Sequence, residues 1–188
     1  GVFAIAITLL VLDLHVPERG GEGGLFAALW QEWPQSLAFL IGFFTILICW
    51  INHHYMFTMI HRSDSGLIMA NGFKLLVISI TPFATARRSK NMDTAWGASA
   101  VQIYAFNFTL MGAAMTAIWF YAKRKGFVTV SADMLKAVSS LYVVPTLLAG
   151  TIWLLSFVSI PVSLVLFGLM FAVFVSPAST ARWIRERN

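Results

Sequence analysis

Six strongly polar or ionisable groups sit inside otherwise apolar stretches: Asp13 and His15 near the end of the first, Asn52, His53 and His54 near the end of the second, and Lys74 within the third. Groups of this kind are costly away from water, so each is a candidate for pairing or for direct work on an ion or proton. Two imidazoles invite a metal reading, because paired histidines begin many zinc and iron sites. Adjacent helical residues point about 100° apart, however, and His53 and His54 cannot share one ion from a single helix face. No metal is expected. A buried polar network fits better, in which Asn52 and one histidine lock helices together. Lys74 is expected to snorkel, to form an intersubunit hydrogen bond or to stand as a buried charge, with direct contact to a passing ion the lesser role. Asp13 and His15 are candidate residues of a solvated outer mouth. The chain contains no glycine-rich phosphate loop, no nucleophile elbow and no embedded carboxylate pair, so a conventional enzyme is not expected and no cofactor is implied.

The elements that carry these groups follow from composition. Only 11% of the 188 residues are charged and 59% are hydrophobic, with a mean hydropathy of +0.78. A soluble domain carries about 25% charged residues, so the balance points to a lipid bilayer. Sixteen Phe and seven Trp are enough for helix packing and for interfacial belts. The net charge of +5 lies mostly in loops and is not a nucleic-acid footprint. The single cysteine, Cys49, excludes an internal disulfide framework.

Polar breaks divide the chain into six apolar spans at about residues 1–17, 35–57, 67–86, 95–122, 135–158 and 162–178. The expected fold is therefore all-α, a single polytopic membrane domain of six transmembrane helices. Pro145 is expected to interrupt the fifth span, and Pro161 to separate it from the sixth. The first span reaches only about 25 Å against a hydrocarbon core of about 30 Å, which suggests a helix beginning earlier than Gly1. Six spans put both termini on one side. With them fall Arg62, Lys123, Arg124, Lys125, Lys136, Arg182, Arg185 and Arg187; opposite fall Arg19, Arg87, Arg88 and Lys90. Eight against four predicts cytoplasmic termini.

The first span, GVFAIAITLLVLDL, is apolar all round. At about 100° per residue, Ile5, Thr8, Leu9 and Leu12 share one stripe, while Phe3, Ile7, Leu10 and Leu14 share the opposite one. Periodicity alone does not say which stripe faces what.

Three segments settle on a resemblance: GVFAIAITLLVLDL at residues 1–14, WINHHYMF at 50–57 and NGFKLLVISITPFATA at 71–86. Together they resemble prokaryotic members of the transmembrane protein 175 family, whose animal lysosomal potassium channel is longer and holds two six-helix repeats. The resemblance implies a homotetramer in the plasma membrane of a prokaryote, with the first helix of each copy around a central pore permeable to potassium and other monovalent cations. It places the constriction at Ile5, further apolar rings at Leu9 and Leu12, and Thr8 as a polar neighbour facing the pore. Family members normally carry Phe-Ser-Asp just before the position of Gly1 and an arginine slightly earlier. These are thought to pair with the Asn-His part of the second helix, and they are not in this sequence. No TVGYG-like segment occurs, so a carbonyl-cage filter is not available. Two other classes compete. A small secondary transporter would use Lys74, His53 and Asp13 as a relay, although no internal repeat is visible. A structural or assembly membrane protein would carry no flux at all.

Overall fold

A computed structural model describes residues 1–14, 33–86 and 95–175. Six α-helices make up nearly all of it: α1 (Val2–Leu9), α2 (Trp33–Met59), α3 (Ser65–Ala86), α4 (Ala95–Arg124), α5 (Ala132–Leu155) and α6 (Ile160–Val175). A 3-10 turn, Leu10–Asp13, continues α1. Segments of α2, α3, α4 and α5 are long and apolar enough to cross a bilayer, whereas α1 with its extension and α6 are shorter apolar helices. His15, Arg19, Arg87, Arg88, Lys90 and the basic tail from Arg182 lie outside the described residues.

Pro145 does not interrupt the fifth helix, contrary to expectation; α5 runs through it. A proline removes one donor and strains the preceding turn. One residue on from the Leu141 carbonyl that Pro145 frees, Thr146 Oγ1 donates to the Tyr142 carbonyl at 2.7 Å and Thr116 Oγ1, from α4, donates to it at 3.1 Å. Pro161 stands inside the first turn of α6, where its missing N–H has no intrahelical partner to lose, and the break between α5 and α6 falls before it.

The polar ends are built from local chemistry. After α4, Gly126 takes a φ of 68°. Its N–H bonds the Lys123 carbonyl at 3.1 Å and the Phe127 N–H bonds the Ala122 carbonyl at 2.9 Å, the paired pattern of a Schellman cap. The Phe127 carbonyl then accepts from the His61 N–H at 2.9 Å, and Ile60 bridges Val128. The α2–α3 and α4–α5 connections are thereby tied at one end of the bundle. Trp119, fully buried on α4, donates its indole N–H to Ser139 Oγ on α5 at 2.9 Å.

Asp64 completes this end. It caps α3, accepting the Leu67 N–H at 2.9 Å, and the Tyr121 hydroxyl donates to its two oxygens at 3.1 and 2.9 Å. Lys125 Nζ stands 3.8 Å away. Gly66 makes the approach feasible, because a Cβ there would collide with the Tyr121 hydroxyl. The Leu67 N–H, chiefly, then the Tyr121 hydroxyl and Lys125, hold the Asp64 carboxyl below its ordinary value of 3.8 against a smaller opposing effect of desolvation. A carboxyl depressed in the folded state contributes stability above its ordinary pKa and loses it as pH falls through the folded value. Asp64→Ala is therefore expected to lower the thermal midpoint of the detergent-solubilised protein by a few degrees at pH 7. The gap to wild type closes in a melting series carried below pH 4; a gap that stays constant with pH would show that the charge is not what matters.

Candidate functional site

The short α1 lies against α2 and α3, and its two faces meet different surroundings. Phe3, Ala6 and Leu10 are buried and pack with Ile46 of α2, Val77 and Ile78 of α3, and Met111 of α4. Ile7 is half-buried beside them. On the other face Ile5 is 61% exposed, Leu9 43% and Leu12 73%, with Thr8 also exposed. Of the two apolar stripes, the bundle takes the one containing Phe3 and Leu10. The 3-10 turn refines the exposed one. In an α-helix Leu12 would sit about 60° off Leu9, but 3-10 geometry eclipses residues three apart and brings the two into line. Thr8 turns its hydroxyl back onto its own helix, toward the carbonyls of Ile5 at 2.9 Å and Ala4 at 3.1 Å. Asp13 closes the 3-10 turn; its side chain lies outside the described residues.

Beneath Phe3 lies a buried contact between an ammonium and an imidazole. Lys74 on α3 is fully buried, and its ammonium is 2.7 Å from His53 Nδ1 on α2. An ammonium only donates, so Nδ1 accepts and the ring proton belongs on Nε2. The same Nζ stands 5.1 Å over the Phe3 ring. His53 packs on Phe3, with ring centroids 5.3 Å apart, and on Phe57 at 4.4 Å. Three helices thus meet at one buried cation. The snorkelling expected of Lys74 does not occur, because a lone pair and an aromatic face are both within reach inside the bundle.

The Asn52-His53-His54 cluster does not form one network, as adjacent helical positions diverge. Only His53 reaches across to another helix with its side chain. Asn52 Nδ2 donates to the Ile48 carbonyl of its own helix at 2.9 Å, and its link to α5 runs through its backbone oxygen. His54 is exposed and stacks on Trp50, with ring centroids 5.7 Å apart. Cys49 lies one turn before His53, yet among the described residues no group of three His, Cys, Asp or Glu could hold a metal ion.

Two residues escaped the sequence reading. Asn107 on α4 is buried and donates to Thr81 Oγ1 on α3 at 2.9 Å, a second polar tie alongside Met111. An asparagine inside a long apolar span was the signal for it.

The fold and site define an all-helical, multi-pass membrane protein whose short first helix packs by its apolar face on the bundle, with Phe3 over a buried ammonium. The family described as endosomal/lysosomal potassium channel TMEM175 matches residues 1–82. A potassium channel of Streptomyces collinus (strain DSM 40733 / Tue 365) is 35% identical over 175 residues, covering 90% of this chain and 84% of that one. One from Chamaesiphon minutus (strain ATCC 27169 / PCC 6605) is 37% identical over 124 residues, 65% of this chain and 61% of that one. The crystal structure of a lysosomal potassium-selective channel TMEM175 homolog from Chamaesiphon minutus superposes with a TM-score of 0.81 at 31% identity, over 93% of this chain and 90% of that one. The chain belongs to the TMEM175 family.

The buried contact generates a double-mutant prediction. His53→Leu leaves the Lys74 ammonium buried without its acceptor and should cost about 2–3 kcal/mol in detergent unfolding. Adding Lys74→Met restores most of that loss. Losses that simply add would mean the two residues act independently.

Proposed function

We propose that the chain is a potassium-permeable, modestly potassium-selective cation channel whose selectivity and gating reside in an apolar constriction on α1. The observation that carries this reading is the exposed stripe of Ile5, Leu9 and Leu12 on a helix whose other face is packed against the bundle. In the proposed assembly four copies place these stripes around a common axis. Ile5 and Leu9 are then about 6 Å apart along the pore, as are Leu9 and Leu12 across the 3-10 turn. Relatives named as potassium channels support the choice of ion. All six helices cross the plasma membrane in this reading, and the termini are cytoplasmic. The tied end with exposed Arg62, Lys123, Arg124, Lys125 and Lys136 matches the side with more positive charge.

The isoleucine and leucine side chains of these rings offer no oxygen to replace hydration water. An ion passes such rings only by shedding or distorting part of its water shell. Potassium holds water less tightly than sodium and meets the lower barrier. Selection of this kind is permissive, and the same rings close the pore by narrowing or dewetting. No cofactor takes part.

A transporter relay through Lys74, His53 and Asp13 finds less support. Phe3 touches Lys74 and His53, and Asp13 lies ten residues further along, about 15 Å away.

Ile5→Asn is expected to bring the potassium and sodium reversal potentials together in planar-bilayer recordings, with single-channel steps retained. Reversal potentials equal to wild type would remove Ile5 from the filter. Saturable flux coupled to a counter-ion, without current steps, would favour the transporter.

A further inference from the structure

On the flank of α2 about 100° round from His53, a cavity of about 180 Å³ opens between α2, α4, α5 and α6. Its walls are largely apolar, supplied by Ile48, Ile51, Phe108, Met115 and Pro145 among others. The cavity exists because the helices are unevenly spaced. Helix α4 closes tightly on α5 at Gly112, where a Cβ would stand 2.7 Å from Thr146 Oγ1, while α2 contacts α5 little. Two polar groups converge on this space with hydrogen-bonding capacity left over. Asn52 commits its Nδ2 to the Ile48 carbonyl, which leaves Oδ1 as an acceptor with no hydrogen bond among the described residues. The Tyr142 hydroxyl, nearly buried, has only the Asn52 backbone oxygen at 3.5 Å, the outer limit for a hydrogen bond. Both residues line the cavity, so an amide acceptor and a hydroxyl donor belong to otherwise largely apolar walls.

We propose that this cavity binds a small uncharged apolar molecule bearing one hydroxyl, of the alcohol or phenol class, taken up from the bilayer. A hydroxyl is the smallest group that answers both partners at once: it donates to Asn52 Oδ1 and accepts from Tyr142. The volume sets the rest of the ligand, because a dry apolar cavity of about 150 Å³ already accommodates benzene. No side chain lining the cavity carries a formal charge, which fits a neutral guest. The site is separate from the exposed stripe of α1, and its occupancy does not depend on what the chain conducts.

The test uses the full chain in lipid nanodiscs, with phenol and toluene as probes of equal shape and saturation-transfer NMR as the readout. Phenol should bind about tenfold more tightly than toluene, the worth of roughly one well-made hydrogen bond in a buried site. Ile51→Trp, which fills the chamber, should abolish the signal of both. Asn52→Leu combined with Tyr142→Phe should keep toluene bound and erase the preference for phenol. This second variant guards against Ile51→Trp failing to fold, which its elution profile would reveal. A phenol signal equal to that of empty nanodiscs, one unchanged by either variant, or equal affinity for phenol and toluene in the wild type would each overturn the proposal.

Discussion

The buried ammonium of Lys74 is the constraint on which the arrangement of α1 depends. Within a bilayer, helices gain little from hiding apolar surface, because lipid tails are as apolar as a leucine side chain. Packing and polar contacts must then hold a short helix in place. The 2.7 Å contact between Lys74 and His53 ties α3 to α2, and Phe3 of α1 lies over the same ammonium. Ala6 and Leu10 continue the contact by one and two turns, into Ile46, Val77 and Ile78. A residue on α1, one on α2 and one on α3 are thereby fixed relative to one another at one depth. Everything α1 exposes on its far side inherits its orientation from this point.

The second polar tie works on the neighbouring pair of helices. Asn107 and Thr81 join α4 to α3 near Met111, which also packs beneath α1. The support under α1 is therefore itself braced rather than resting on a lipid-facing helix free to slide. At the end of the bundle, Asp64 and Tyr121 join the same two helices again. Helix α3 is held at both levels, and α1 leans on α3 more than on any other element.

How far this was legible in the sequence depends on the distance over which each signal acts. The all-helical, apolar character was legible, because runs of apolar residues ended by Arg62-Ser63-Asp64 or Lys123-Arg124-Lys125 are local patterns. The stripe of Ile5, Leu9 and Leu12 was legible as a stripe but not as the exposed one, since both faces of α1 are greasy. What separates them is that Phe3 alone presents an aromatic ring to Lys74, a match between residues 71 positions apart. The pairing of Lys74 with His53 was hidden for the same reason, and so was the bond between Asn107 and Thr81. Pro145 misled because a proline inside a long apolar helix removes one backbone donor and need not end the helix. Asp64 stood in a polar break that read only as a loop, although Asp followed by Ser-Gly and an apolar run also describes a helix cap.

An apolar constriction places an unusual demand on the scaffold around it. A filter of oxygen ligands corrects small errors, because each ion draws the ligands to itself. Rings of isoleucine and leucine have no such attraction, and the barrier an ion meets is set by the width of the opening and the cost of the water it sheds there. A helix that carries such rings must be held from behind, by contacts the ion does not share. On the proposed reading, the buried face of α1 answers that demand: Phe3 lies over the Lys74 ammonium and against His53, contacts that do not depend on whether an ion is present.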